Sequence, residues 1–159
     1  MHFDHYSYHD EISKTLSSDQ SRNLTFLVGR FDSYLFDTIN GLDDSYSLVS
    51  HEIFLEDRLL VGKKANRHLH QGNQLDLKEW ELIPYAIINC CSCYFDRRTE
   101  NIIFMIPSLE CDRAIKLAVH LNFNLGREKR KINLIRSCFK INPQAIEEDS
   151  KRYIDIDGL

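Results

Sequence analysis

The stretch that decides the fold runs from residue 92 to residue 141: SCYFDRRTENIIFMIPSLECDRAIKLAVHLNFNLGREKRKINLIRSCFKI. Four short runs rich in Ile, Val, Phe and Cys (92–96, 102–107, 114–123 and 132–141) are separated by three turn clusters. These are Asp96-Arg97-Arg98-Thr99, residues 108–112, and residues 124–131 around Gly126. Strand-length apolar runs with short connections, and no helix-length segment between them, predict an antiparallel meander of about four strands.

Outward from this block the period changes. Leu75, Leu77, Trp80, Ile83, Ile87 and Ile88 follow a 3–4 spacing that predicts a helix over 75–90, with Pro84 breaking or kinking it. From Asn23, the set Leu24, Leu27, Val28, Phe31, Tyr34, Leu35 and Ile39 predicts an amphipathic helix, ended by Gly41 and Asp43-Asp44. Residues 47–55 form a candidate strand. The first dozen residues, with His2, His5 and His9, show no clear period and suit a frayed end or a docked strand. Beyond the meander, Asn142-Pro143 is an N-cap followed by a first-turn proline, opening a short helix toward Lys151. The expected class is α+β: N-terminal helices packed on a roughly four-stranded antiparallel meander, with a short C-terminal helix.

With 159 residues, 43% of them apolar and 28% charged, the chain has the makings of one packed core. Collagen-like, low-complexity and largely disordered classes are excluded. No apolar run reaches the roughly 20 residues of a membrane-spanning helix, and the start has no signal-peptide pattern. The expectation is a cytoplasmic chain with no membrane partner. Five cysteines, three of them within residues 90–93, make an odd set without finger spacing, which predicts reduced core thiols and no zinc site.

Charge divides the chain. Residues 1–57 hold eleven acids against three bases, a balance of −8, whereas 58–159 carry +4. An acidic, largely helical region 1–57 is thus set off from an α+β core 58–159, the two expected to pack as one unit. Residues 58–72 contain four bases and no acid, and 127–140 contain six bases and one acid. Such runs suit either solvated faces or a local phosphate site.

The two basic runs hold the residues with chemistry. The first reads Lys63-Lys64-Ala65-Asn66-Arg67-His68-Leu69-His70. On a helix, Lys64 and His68 share a face; on a strand, His68 and His70 do, with Arg67 opposed, and that pair could reach a metal. In the second, strand alternation puts Ser137 and Phe139 on one face and Arg136, Cys138 and Lys140 on the other. A histidine titrating near neutrality, cations, a hydroxyl and an aromatic ring are the parts of a metal-free ribonuclease, whose nucleophile is the substrate's own 2′-hydroxyl. His120 reads as a core residue, His51 as a surface one and Trp80 as core. No P-loop, dinucleotide fingerprint or nucleophile elbow occurs.

Residues 62–146 resemble the barnase–EndoU–colicin–RelE nuclease superfamily, in particular its phage-borne and bacterial-toxin members. The resemblance rests on the basic segment with His68, the helix pattern Leu77-x-x-Trp80-x-x-Ile83-Pro84-x-x-Ile87, the strand meander, Ser137-Cys138-Phe139 in the last strand, and the closing Asn142-Pro143. The Lys–His pair and Ser-x-aromatic strand are similar to the tRNA-cleaving colicin D type. This implies a metal- and cofactor-independent endoribonuclease toxin domain, acting on RNA such as tRNA and leaving a 2′,3′-cyclic phosphate. An acidic immunity or antitoxin partner is implied as well. It implies catalytic roles for His68, Lys64, Arg67 and Ser137, and substrate contacts from Lys63, His70, Arg136 and Phe139, where the superfamily more often has Tyr or Trp in place of Phe139. The alternative is a cytosolic immunity- or antitoxin-like binding module using the acidic N-terminal region, in keeping with the net charge of −4.

Overall fold

The computed structural model describes residues 4–43, 47–89, 92–109 and 111–157. In chain order the elements are α1 (His5–Ser18), β1 (Thr25–Arg30), α2 (Ser33–Gly41), β2 (Glu52–Glu56), α3 (Arg58–Val61), α4 (Lys63–His70) and α5 (Leu77–Asn89). They continue with β3 (Ser92–Asp96), β4 (Asn101–Pro107), β5 (Ala114–Leu125), β6 (Arg130–Ile141), α6 (Gln144–Glu147) and β7 (Tyr153–Asp155). The α+β class holds, but the sheet is larger than four strands. Seven strands lie in the order β1-β2-β6-β5-β4-β3-β7, all neighbours antiparallel except β2 and β6, which run parallel. The expected meander is its middle, β3 to β6.

Two N-terminal expectations are corrected. The single helix from Asn23 is instead a strand and a helix. Asp32 starts a new helix, its carboxylate accepting the Leu35 N–H at 2.7 Å, and Phe31 N–H reaches the His51 carbonyl at 2.8 Å beside the β1–β2 pairing. A cap at Asp32 ends whatever precedes it, so the helical spacing of Leu24, Leu27, Val28 and Phe31 is coincidental. In place of a frayed end or docked strand, the chain from His5 forms α1, whose period is carried by Tyr8, Ile12 and Thr15, all buried among polar neighbours. His2, Cys90 and Cys91 lie outside the described residues. Of the other cysteines, Cys93 and Cys138 are buried thiols, while the Cys111 thiol is exposed, against expectation.

The main core lies between one sheet face and helices α1, α2, α3 and α5. Helix α5 keeps its course through Pro84. Burial of Trp80, Ile83 and Ile87, at roughly 1.5–3 kcal/mol each, outweighs the roughly 3 kcal/mol a mid-helix proline costs. Pro84 has no N–H for the Trp80 carbonyl; the Tyr8 hydroxyl donates to it instead, at 2.6 Å. The opposite sheet face carries smaller clusters, Ile103, Met105, Ala114, Ala118, Ile146 and Tyr153, and then Phe54, Ile132 and Leu134. Among the described residues no helix is long and apolar enough to cross a membrane.

One topological feature positions the basic segments. Strand β2 pairs with β6 only along Ile53–Leu55 against Asn133–Ile135, so β6 runs on from Arg136 to Ile141 without a strand on that edge. Helix α4 and the turn after it cover this edge. The turn contributes the Asn73 carbonyl, which accepts the Lys140 N–H at 2.8 Å. Helices α3 and α4 meet at Gly62 without a linker, and a side chain there would collide with the Arg58 carbonyl oxygen. A buried ion pair, Lys140 Nζ to Glu79 Oε1 at 2.7 Å, ties β6 to α5; Ser108 Oγ donates to the other carboxylate oxygen at 2.9 Å.

Candidate catalytic face

The basic run 63–70 is helical, so the face it presents is the Lys64–His68 one rather than His68–His70. Lys64 Nζ donates to the Arg136 carbonyl at 2.6 Å. One turn on, the His68 ring stacks on Phe139 with centroids 4.5 Å apart and planes 12° apart. Both His68 ring nitrogens are out of solvent and have no hydrogen-bond partner among the described residues. Burial, then the charges of Lys64 and Arg67, lower the His68 pKa below the ordinary histidine value. Desolvated ring nitrogens beside cations favour the neutral imidazole, which is the form that accepts a proton. The Lys64 pKa is lowered too, by burial and then by Arg136 and Arg67.

Strand β6 departs from simple alternation. Ala118 pairs with Ser137 and Val119 with Ile135, so Arg136 sits in a bulge. Cys138 faces the helix-covered core and Lys140 reaches Glu79, while Ser137 and Phe139 lie on the opposite face as expected. Arg136 is the correction. Its guanidinium lies 5.0 Å from the centroid of Phe123, which packs with Phe54, Ile132 and Leu134 on that same opposite face. The extra residue thus puts Arg136, Ser137 and Phe139 together. Ser137 and Phe139 are two strand residues apart, roughly 7 Å along β6.

His68, Lys64, Arg136, Ser137 and Phe139 thereby come to one region, with the charge of Arg67 acting on it. Beside it, where β2 ends, lies an open cleft of about 400 Å³ whose lining includes Arg58, Lys63, Lys64 and Arg136, with Glu56 paired to Arg58. His70 is not part of the site: exposed, it donates from Nδ1 to the Asn66 carbonyl of its own helix at 2.7 Å. His51 is elsewhere too, half-buried, with its ring stacked on Phe36 at 3.8 Å and Nδ1 on the Phe31 carbonyl.

Sequence reading missed most of the surrounding face. Lys116, opposite Phe139 in the β5–β6 register, lies 6.0 Å from the Phe139 centroid and 5.6 Å from that of Tyr153. Arg152 covers Tyr153 at 4.8 Å and Arg130 covers Phe54 at 5.5 Å. His120 is half-buried on this face rather than in the core, its ring edge-on to Phe123 at 5.4 Å. The signal was the two-residue spacing Lys116, Ala118, His120 inside an apolar run. Cations and rings therefore interleave across the face. Among the described residues no group of three or more His, Cys, Asp or Glu side chains is placed to hold a metal ion. Compared with protein-family models, curated proteins and solved structures, the chain matches none.

Proposed function

We propose that the chain is a metal-independent endoribonuclease, of toxin type and with tRNA as a substrate, cleaving by attack of the 2′-hydroxyl on the adjacent phosphate. The observation that carries this reading is His68: stacked on Phe139, unpartnered at both ring nitrogens among the described residues, and lowered in pKa by burial and by Lys64 and Arg67. In this reading His68 takes the 2′-hydroxyl proton, and Lys64, Arg67 and Arg136 stabilise the extra negative charge of the pentacoordinate phosphorus. Ser137 hydrogen-bonds a phosphate oxygen. Lys63 and the adjoining cleft hold a neighbouring phosphate. The interleaved rings and cations, Phe123 with Arg136 and Phe139 with Lys116, suit unpaired bases and backbone together, as single-stranded RNA requires. An acidic immunity or antitoxin protein would cover this face.

The test is cleavage of total tRNA in EDTA, with product termini read by mass and by their resistance to periodate. Wild-type chain should leave 2′,3′-cyclic phosphate ends, and His68→Ala should lower the rate at least about 100-fold. The acid limb of the rate profile should fall below pH 6.5, because a lowered histidine pKa keeps the base neutral to lower pH. RNA bound without cleavage, or cleavage unaffected by His68→Ala, would overturn the assignment; binding alone would favour an interaction module.

A further inference from the structure

We propose that Lys116 is a substrate contact of this face: it takes the phosphodiester next to the one that reacts at His68, so that the chain holds a run of unpaired RNA rather than a single linkage. The inference rests on the ribonuclease reading and deepens it. Among the described residues, four lysines and arginines are not exposed: Arg113, Lys116, Lys140 and Arg152. Three of them meet oxygen acceptors. Arg113 donates to the Gly72 and Lys140 carbonyls and to the Asn73 side chain. Lys140 has Glu79 at 2.7 Å, and Arg152 holds both oxygens of Asp96, at 2.9 and 2.7 Å. Lys116 makes no hydrogen bond or ion pair among the described residues. The carboxylate whose charge reaches it, Asp96, is already engaged by Arg152. Taking an ammonium out of water without a compensating partner is costly, so the position favours an anion.

The placement of Lys116 says which anion. It stands opposite Phe139 in the β5–β6 register, and its ammonium lies 6.0 Å from the Phe139 centroid. His68 reaches the same ring from the other flank, because α4 lies along the edge of β6 away from β5, and the ring centroids are 4.5 Å apart. Imidazole and ammonium are therefore separated by no more than the two distances together, about 10.5 Å. On its far side Lys116 meets the Tyr153 ring at 5.6 Å, itself covered by Arg152 at 4.8 Å. Two rings thus fix the ammonium while leaving its N–H groups to an outside acceptor. A strand laid with one phosphate at His68 carries its next negative charge at a short, fixed interval, which an acidic protein surface does not. The cleft lined by Arg58, Lys63 and Arg136 serves the opposite flank.

Two measurements test this. Binding of a single-stranded 2′-O-methyl oligonucleotide, which lacks the nucleophile, is followed against salt. Each phosphate contact adds about 0.7 to the slope of log affinity against log salt for single strands, so Lys116→Gln should lower the slope by about 0.7. Lys14→Gln makes the same change of net charge on α1, where Lys14 pairs with Asp10, and should leave the slope unchanged. Cleavage is then compared on a dinucleoside monophosphate, which has only the scissile phosphate, and on the same linkage inside a hexanucleotide. Lys116→Gln should lower kcat/KM about 10-fold on the hexanucleotide and stay within about twofold of wild type on the short substrate. Lys116→Arg keeps the charge and should restore both readouts. An unchanged slope, or an equal loss on both lengths that Lys116→Arg shares, overturns the assignment. A wild-type chain that neither binds nor cleaves RNA would instead sink the ribonuclease reading, and this inference with it.

Discussion

Removing Glu79 should expose how the candidate site is held. Glu79 is fully buried and its Oε1 lies 2.7 Å from Lys140 Nζ, on a side chain only 10% exposed. Its other oxygen accepts from Ser108, and its own backbone N–H is capped by Asp76 at 2.8 Å. Glu79→Met keeps the volume but strips the Lys140 ammonium of its carboxylate, and deleting one partner of a buried pair costs about 3–5 kcal/mol. For a chain of this size each kcal/mol shifts Tm by roughly 2–4 °C, so a fall of roughly 10 °C is expected in a thermal scan. Lys140→Met should cost less than Glu79→Met, since the carboxylate keeps Ser108 and the Asp76 N–H at 3.3 Å. The double variant, with neither charge of the pair left to bury, should return to within about 2 kcal/mol of wild type. Urea unfolding of all four proteins reads the coupling directly. A Glu79→Met cost below about 1 kcal/mol, or a double variant losing the sum of the two singles, would refute the reasoning.

Two further outcomes follow from the same kind of accounting. Tyr8→Phe should cost about 1–2 kcal/mol in urea unfolding, because the Trp80 carbonyl freed by Pro84 loses its donor; Pro84→Ala should offset much of that loss by restoring the helical N–H. A Tyr8→Phe cost that is the same with Pro84 in place as in the Pro84→Ala background would break the link. Asp96, nearly inaccessible to solvent, would be raised by burial alone, but hydrogen bonds from Arg152, Thr99 and the Arg98 N–H bring its pKa to about 2. The folded carboxyl thus holds its proton less tightly than the unfolded one. The pair's contribution is present above about pH 4 and lost as pH falls toward 2, about 2 kcal/mol in all. Asp96→Asn should flatten stability against pH over that window; an unchanged slope would assign acid loss to other groups.

The β3–β6 meander was legible because its strands are local neighbours whose turns announce themselves, with Gly126 at φ +70° in the β5–β6 hairpin. The α5 pattern was legible for the same reason, its period surviving Pro84. What escaped reading is non-local. Nothing near Ile53 says that it will run parallel to Asn133, 80 residues on, where the Asn133 amide donates to the Ser50 and Glu52 carbonyls at 2.7 and 3.0 Å. Strand β7 is three residues long, too short to carry a period. At the site, the helical option for 63–70 fixed the Lys64–His68 pairing, but the bulge at Arg136 defeated the alternation rule, since one extra residue reverses the facing of everything on one side of it. His120 was misplaced because its neighbours are apolar on both sides. Their apolarity belongs to the other sheet face.

The charge boundary near residue 57 marks a hinge of construction. Asp57 is fully buried, its carboxylate accepting from Ser21 Oγ at 2.6 Å and the Arg22 N–H at 2.7 Å, and its own N–H donates to the Leu24 carbonyl at 2.9 Å. The last acid of the negative half is thus used inside the fold, stitching the entry to β1 onto the exit from β2. That exit sets everything after it. Strand β2 stops at Glu56, Asp57 turns the chain into α3, Gly62 lets α4 follow without a spacer, and α4 then lies along the part of β6 that β2 leaves open. Had β2 run three residues further, its backbone would occupy the edge where Lys64 now meets Arg136, and His68 could not stack on Phe139. The length of an acidic strand therefore decides whether the basic residues meet. The −8 of the first 57 residues and the clustered cations after them belong to one arrangement, in which the negative half supplies the scaffold and leaves Phe54 and Glu56 at the margin of the face it creates.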